Sequence, residues 1–213
     1  MLENAYVINL KRRPDKLKAA TRQLAEIRVK PIVIEAVDAI EMKLSSQLID
    51  RPGAIGCLLS HRIALFDAVQ SEWDSCVIFE DDIEIVDGFA AYFDTFKAQL
   101  PADWKMVWLG WDERNKADAR NGFVSSHVRK PIRPYGTQAI AYNGVETIRK
   151  AYELSQKLDH WDLVLERFSK EVPTYTPGIT LFDQFRHESD IYADHRNPHK
   201  NHPRVQKWQR LIA

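Results

Sequence analysis

Several features that would place a protein in a specialised class are missing from this 213-residue sequence. Cys57 and Cys76 are the only cysteines, too few for a disulfide framework or, by themselves, for a zinc site. No run of about 18 apolar residues occurs and the N-terminus lacks a long apolar segment, so we expect no transmembrane helix and a cytoplasmic location by default. Thirty basic residues balance thirty acidic ones, which predicts no general affinity for nucleic acid or anionic membranes.

Short apolar runs alternate with segments of helical periodicity along most of the chain, whose 45% hydrophobic content is typical of a globular protein. This alternation predicts an α/β fold with a parallel sheet and right-handed crossovers. We expect residues 1–177 to form a single domain and residues 178–213 to be a C-terminal tail or lid of the same domain; the alternative is a tail docked permanently through Trp208 and Leu211. The predicted strands are 5–10, 31–36, 76–79, 105–110 and 136–142, and the predicted helices are 14–27, 53–70, 89–99, 144–158 and 161–170.

Three acids, Glu80, Asp81 and Asp82, directly follow the apolar run Cys76–Phe79, which is typical of a buried strand. Ligands of open α/β sheets bind outside the carboxyl ends of the strands. Adjacent carboxylates repel one another, and Mg²⁺ or Mn²⁺ is a natural partner because both ions prefer oxygen ligands. The motif therefore predicts a metal site, with a solvated acidic turn as the alternative.

Polar residues also follow the first two predicted strands. Arg12 and Arg13 precede a helix that begins at Pro14, where the helix N-terminus and the guanidinium groups favour a phosphate, unless this is only a solvated basic turn. Asp38 follows the second strand, where it could hold a ribose hydroxyl or a base edge. Asn9 and Asp38 are expected to lie at the same sheet edge as the three acids.

Ser60 and His61 interrupt the apolar stripe of the predicted helix 53–70. The pattern alone leaves open whether His61 is a site residue or a helix histidine that hydrogen-bonds a neighbour. Gly53 and Gly56 in the same helix are costly there and indicate close approach of a backbone or a ligand.

Several blocks of this sequence resemble glycosyltransferase family 25, which includes bacterial lipooligosaccharide galactosyltransferases and the collagen galactosyltransferases. The combination is specific because the blocks occur in the family's order, whereas each block alone is weak. They are Tyr6-Val7-Ile8-Asn9-Leu10 with Arg12-Arg13-Pro14-Asp15, Ala36-Val37-Asp38-Ala39, Gly53–His61 with its Leu59-Ser60-His61 end, Val77–Ile83 around the acids, and Gly136–Tyr142.

The resemblance implies an A-type glycosyltransferase fold, with a Rossmann-like, mostly parallel central sheet flanked by helices. It implies an inverting hexosyltransferase that uses a UDP-sugar, most often UDP-galactose or UDP-glucose, and Mn²⁺ (or Mg²⁺). The acceptor would be a glycan or a lipid-linked glycan, which makes peripheral membrane contact conceivable. The implied metal ligands are Glu80, Asp82 and His187. The implied donor-binding residues are Asn9, Arg12, Arg13, Asp38, Ser60, His61 and Asp81. The implied catalytic residues are Asp162 as the first candidate for the base, Asp112 as the second, and His61.

Two other classes of protein remain compatible with the sequence. A metal-dependent phosphohydrolase of nucleotide sugars could use the same acidic motif, and it would release sugar without an acceptor. A catalytically silent binding module would bind UDP with Mn²⁺ and show no turnover.

Overall fold

The computed structural model describes residues 1–44, 51–113 and 122–184, and all structural statements below concern these residues. The five predicted strands and five predicted helices are present in the predicted order, with boundaries within a few residues of those expected, and the structure adds four short strands at Ile83–Ile85, Val128–Arg129, Thr174–Pro177 and Phe182–Gln184. The elements are β1 (Ala5–Asn9), α1 (Pro14–Glu26), β2 (Ile32–Glu35), α2 (Pro52–Gln70), β3 (Ser75–Glu80), β4 (Ile83–Ile85), α3 (Phe89–Gln99), β5 (Met106–Glu113), β6 (Val128–Arg129), β7 (Pro134–Asn143), α4 (Val145–Ser155), α5 (Trp161–Phe168), β8 (Thr174–Pro177) and β9 (Phe182–Gln184).

A seven-stranded sheet in the order β2-β1-β3-β7-β5-β8-β6 forms the centre of the fold. Strand β1 pairs in parallel with both β2 and β3, and β5 pairs in parallel with β8. Strands β7 and β6 run antiparallel to their neighbours. The sheet is therefore mostly parallel, and the predicted α/β class is confirmed.

Strand β7 runs antiparallel to both of its neighbours, β3 and β5, so the sheet is mostly but not entirely parallel. A parallel neighbour needs a crossover, usually a helix on one face of the sheet. The described part of the connection from β5 to β7, residues 122–133, contains only turns and the short strand β6. The chain returns beside β5 in the opposite direction, and β7 pairs with β5 on one side and β3 on the other.

Strict alternation along the central strands assigns side chains to the two faces of the sheet. In β3, Cys76 and Ile78 belong to the apolar cluster under α2, α4 and α5, whereas Val77 and Phe79 belong to the cluster under α1 and α3. Because successive side chains point to opposite faces, Glu80 continues the row of Ile78 on the α2 face. The alternation of side chains along each strand therefore determines which helix each site residue contacts.

Helix α2 packs closely on the segment after β2. A Cβ added to Gly56 would lie 2.5 Å from the carbonyl oxygen of Val37, so only glycine allows this approach. The predicted role of Gly56 in a close backbone contact is confirmed. The contact places the residues after β2 directly above the first turns of α2.

The chain beyond β8 remains part of the packed domain as far as residue 184. Leu181 and Phe182 are fully buried against the α3 side of the sheet, and β9 pairs antiparallel with β4. The division of the chain at residue 177 stays a prediction, and residues 185–213, with Trp208 and Leu211, lie outside the described residues. No helix in the described ranges is long and apolar enough to cross a bilayer.

Candidate active site

A cleft opens where β1, β2 and β3 end, at the sheet edge that the sequence indicated. The first turns of α1 and α2 form its sides, because both helices begin close to that edge. Its lining residues are Ile8, Leu10, Arg12, Lys16, Ala36, Val37, Asp38, Ala39, Ile40, Gly53, Gly56, Cys57, Ser60, His61, Glu80, Asp81, Asp82 and Gln184. The structure thus brings together Arg12, Asp38, Ser60, His61 and the three acids.

Glu80 faces α2 and β7, as its place in the alternation of β3 requires. Its Oε1 accepts a hydrogen bond from the hydroxyl of Thr137 at 2.5 Å. The same oxygen lies 3.3 Å from Nε2 of His61 and 3.7 Å from Sγ of Cys57. Burial tends to raise the pKa of Glu80, but the hydrogen bonds from these neighbours and the His61 charge interaction outweigh burial and hold the pKa below its ordinary value.

The ligand-type atoms of Cys57, His61 and Glu80 lie within 4.8 Å of one another, close enough to hold a metal ion. Burial raises the pKa of the Cys57 thiol well above its ordinary value, so without a metal the group is a neutral thiol. The His61 side chain is 1% exposed, and its Nδ1 has no hydrogen-bond partner within the described part of the chain. Cys76, the other thiol, is fully buried in the core.

Asp82 lies on the other side of the cleft, towards α1 and β9. Nε2 of Gln184 donates to its Oδ2 at 3.2 Å, whereas its Oδ1 is buried and accepts no hydrogen bond from any described residue. Burial raises the pKa of Asp82 to about 7; Lys16 opposes the shift, and the charges of Glu80 and Asp81 add to it. Near neutral pH this carboxyl group is close to its titration midpoint.

Asp81 is held by residues of β1 and α1. Its Oδ2 accepts a hydrogen bond from Nδ2 of Asn9 at 2.6 Å, and its Oδ1 lies 3.9 Å from Nζ of Lys16, a side chain that is only 4% exposed. Nδ2 of Asn9 also donates to the carbonyl of Arg13 at 2.8 Å. Asn9 therefore connects the acidic motif to the turn that begins α1.

The two arginines after β1 have different partners. Nε of Arg12 lies 2.5 Å from Oδ2 of Asp38, across the mouth of the cleft. Arg13 forms a two-pronged ion pair with Asp15, at 3.1 and 2.9 Å, and is not among the residues that line the cleft. Burial would raise the pKa of Asp38, but the Glu41 backbone N–H and Arg12 outweigh it and hold the pKa below its ordinary value.

Ser60 connects α2 to the segment after β2. Its hydroxyl donates to the carbonyl of Gly56 at 2.6 Å and accepts the backbone N–H of Val37 at 2.9 Å. Because the hydroxyl both donates and accepts a hydrogen bond inside the protein, it holds in place the segment after β2 that contains Asp38. A direct contact of Ser60 with the donor stays a prediction.

The two candidate bases lie outside the cleft lining. Asp162 begins α5, and its Oδ1 accepts the backbone N–H of Leu163 at 3.0 Å; the neighbouring Trp161 ring lies 6.0 Å from the ring of His61. Asp112 stands near the end of β5, at the same sheet edge as Glu80, and accepts a hydrogen bond from the Tyr135 hydroxyl at 2.8 Å. His187 lies outside the described residues, so its role as a metal ligand stays a prediction.

Three cleft residues, Lys16, Cys57 and Gln184, were not singled out from the sequence as site residues, and neither was Thr137, which contacts Glu80 from β7. Lys16 stands two residues into α1, and a lysine in a first turn is normally solvated, so its burial carried no sequence signal. Gln184 is distant in sequence from the acids that it contacts. Thr137 and Cys57 lie in sequence blocks that resemble the family, and that resemblance was a signal that could have pointed to them. Their contact with Glu80 could not be read from the sequence.

Residues 2–129 match the family described as glycosyltransferase family 25 (LPS biosynthesis protein). The match covers more than half of the chain. The chain belongs to glycosyltransferase family 25.

Proteins similar in sequence agree with this assignment. This family 25 chain is 30% identical over 131 residues to procollagen galactosyltransferase 2 of Mus musculus, covering 51% of the chain and 20% of the relative. It is 24% identical over 135 residues to the human inactive glycosyltransferase 25 family member 3, covering 53% of the chain and 22% of that protein. The chain thus spans about a fifth of the length of these relatives.

Among solved structures, the crystal structure of a glycosyltransferase involved in glycosylation of the major capsid of PBCV-1 superposes with a TM-score of 0.52. The superposition covers 92% of this chain and 98% of that one, at 10% sequence identity. At this identity the similarity concerns the fold alone, and it agrees with the glycosyltransferase fold expected from the sequence.

Proposed function

We propose that this protein transfers a hexose, galactose or glucose, from a UDP-sugar to a hydroxyl group of a glycan or lipid-linked glycan, with inversion and with a divalent metal ion. The observation that carries the proposal is the pair Glu80 and Asp82 on opposite sides of one cleft at the carboxyl ends of β1 and β3. Family membership supplies the reaction class. The donor, the stereochemistry and the metal are the proposed parts.

The residues present fit a hard divalent ion such as Mn²⁺ or Mg²⁺. Asp82 offers a buried Oδ1 without a hydrogen-bond partner among the described side chains, and Glu80 uses only Oε1 in its described contacts. Oxygen ligands of this kind are what these ions prefer. When bound, such an ion offsets the negative charge that develops on the leaving diphosphate.

Residues of the chain would bind the rest of the donor. The positive charges of Arg12 and the buried Lys16 lie on the α1 side of the cleft, where they would attract a diphosphate. Asp38, kept ionised by Arg12 and by the N–H of Glu41, would accept a hydroxyl of the nucleoside. Arg13, paired with Asp15, would act from further away.

An acceptor hydroxyl must lose its proton as it attacks, and a carboxylate is the expected base. Asp162 is the first candidate and Asp112 the second. Asp112 stands at the same sheet edge as the acids, whereas Asp162 follows Trp161, whose ring lies 6.0 Å from that of His61. Replacing each with asparagine separates the two, because loss of the true base lowers kcat with little effect on UDP binding.

The decisive experiment combines binding with transfer. Thermal unfolding is followed with a panel of UDP-sugars, with and without Mn²⁺, since the correct donor raises the unfolding temperature by mass action. Transfer to glycan acceptors is then measured with that donor. The proposal is wrong if no UDP-sugar stabilises the protein in Mn²⁺.

Two other outcomes of this experiment would revise the proposed reaction. Binding of UDP and Mn²⁺ without turnover on any acceptor would indicate a silent binding module, a candidate that the inactive human relative supports. Sugar release without acceptor, as fast as the best transfer, would indicate a phosphohydrolase.

Four further expectations remain predictions: the single-domain organisation with a C-terminal lid, the absence of nucleic acid as a partner, peripheral membrane contact and a cytoplasmic location.

A further inference from the structure

Three hydrogen-bonding side chains converge on a single oxygen atom of Glu80. Thr137 contacts Oε1 from β7, and His61 and Cys57 contact it from successive turns of α2. Every described hydrogen bond of Glu80 falls on this oxygen, and none falls on Oε2. Three side chains thus contact one carboxylate oxygen, which is more than the number of hydrogen bonds needed to bury that oxygen.

The hydrogen-bond roles in this cluster follow from the chemistry of each group. The Thr137 hydroxyl donates its proton to the Glu80 carboxylate, because an ionised carboxylate can only accept a hydrogen bond. The Cys57 thiol lies 3.7 Å from both the Thr137 hydroxyl and Oε1 of Glu80, and its single proton goes to the carboxylate, the stronger acceptor. His61 can donate to Oε1 only if Nε2 carries a proton.

A soft metal ion bound by Cys57, His61 and Glu80 is the competing interpretation. Such an ion would take the lone pair of Nε2 and force the ring proton onto Nδ1. Nδ1 is buried and has no acceptor within the described residues, whereas a metal-ligating histidine almost always donates its other N–H. The observed surroundings of the ring therefore favour a hydrogen-bonding cluster over a second metal centre.

We propose that Thr137, His61 and Cys57 are positioning residues that hold Oε1 of Glu80 and thereby leave its other oxygen for the metal–diphosphate complex. The proposal rests on the proposed function, because it assumes that Glu80 binds that metal. Its consequence is that Glu80 is pre-arranged before any ligand arrives. These side chains should then control metal affinity while leaving the fold and the distant parts of the donor site unchanged.

Thr137 provides the first test, by titration of the protein with Mn²⁺ in the presence of UDP, measured calorimetrically. Thr137→Val keeps the shape and removes the hydroxyl, and we expect about a tenfold loss of Mn²⁺ affinity, with Thr137→Ser restoring most of it. Thr176→Val is the matched control, because Thr176 is also fully buried but its hydroxyl has no hydrogen-bond partner among the described residues. Equal affinities of wild type and Thr137→Val would overturn the proposal.

His61 provides the second test, with two variants that differ in one property. Glutamine can place an N–H near the position of Nε2 but cannot replace imidazole as a metal ligand or proton acceptor. We expect His61→Gln to keep Mn²⁺ affinity within about threefold of wild type and His61→Ala to lose about tenfold. Equal losses in both variants would contradict the positioning role.

The ring tautomer provides a readout that needs neither metal nor activity. Long-range ¹H–¹⁵N spectra of the metal-free wild-type protein should show a proton on Nε2 of His61. An Nε2 without a proton would contradict the positioning role, and tight Zn²⁺ binding that depends on both Cys57 and His61 would favour the soft-metal interpretation. If wild type bound no UDP with Mn²⁺ at all, the proposed function would fail, whereas normal wild-type binding with unaffected variants would remove the positioning role alone.

Discussion

Glu80 and Asp82, only two residues apart, lie in opposite surroundings on the two sides of the cleft. The α2 side surrounds one oxygen of Glu80 with three hydrogen-bonding groups and holds its pKa low. The α1 side gives Asp82 a single donor, Gln184, and leaves its Oδ1 buried without a described partner, with the pKa raised to about 7. One oxygen of Glu80 is therefore held by three groups, whereas Asp82 has one described donor on one oxygen and none on the other, which is buried.

The difference indicates a division of roles within one motif. A preformed ligand needs no reorganisation when the ion arrives, because its hydrogen bonds already fix it. An incomplete ligand stores unfavourable desolvation that a cation would relieve. Lys16 relieves part of it in the metal-free protein, since its charge opposes the shift of Asp82.

The largest expected effect is that of Asp82→Asn on transfer. Loss of the ionised ligand should reduce activity by about 10²–10³-fold and weaken UDP binding in Mn²⁺ far more than in EDTA. Asp87→Asn, an exposed acid just beyond β4, is the control and should behave like wild type. Wild-type activity and metal dependence in Asp82→Asn would remove this residue from the metal site.

The second effect concerns pH and metal-free stability. Because the folded pKa of Asp82 lies above its unfolded value, the folded state holds the proton more tightly, so this group's contribution to stability is present below about pH 4 and is lost as the pH rises to about 7. The slope reaches at most about 1.4 kcal/mol per pH unit. Urea unfolding in EDTA should therefore show Asp82→Asn gaining stability over wild type between pH 4 and 8.

The metal reverses this trend, because ionised Asp82 is then a ligand. Below about pH 7, the Mn²⁺ affinity of wild type should fall about tenfold per pH unit. A stability difference between wild type and Asp82→Asn that does not change with pH would show that the carboxyl group has an ordinary pKa.

A smaller effect is expected from Lys16→Met, which removes the buried cation of the α1 side. Asp81 and Asp82 would lose their nearby positive charge, and we expect about 2 kcal/mol of lost stability at pH 8 in EDTA. Lys18→Met, at an exposed position of the same helix, serves as the control and should change stability by less than about 0.5 kcal/mol. Equal unfolding midpoints for the two variants would mean that Lys16 does not compensate the acids.

The smallest effect is expected on the α2 side, from Cys57→Ala. A thiol is a weak donor and lies 3.7 Å from Glu80, so Mn²⁺ affinity measured with UDP should fall by less than about threefold. Cys57→Ser should restore it. A loss as large as that of Asp82→Asn would make Cys57 a metal ligand and remove the contrast between the two sides.

The sequence by itself predicted ten of the fourteen strands and helices of the described residues, and their order. Apolar runs and helical periodicity located the central strands, and Pro14 and Pro52 each begin a helix, because proline suits the first turn. The acids after β3 and the polar ends of β1 and β2 predicted the edge at which the cleft lies, since parallel strands end together. The family followed from short blocks in a fixed order.

Only the tertiary structure decided which partners the site residues have. Whether β7 returns antiparallel beside β3 depends on how the connection from β5 packs, and that direction brings Thr137 to Glu80. The burial of Lys16 depends on α1 covering the strand ends, and Gln184 reaches Asp82 through a pairing between strands about 100 residues apart. Local periodicity carries no information about such long-range contacts, because they depend on how strands and helices pack together and not on the residues beside them in the chain.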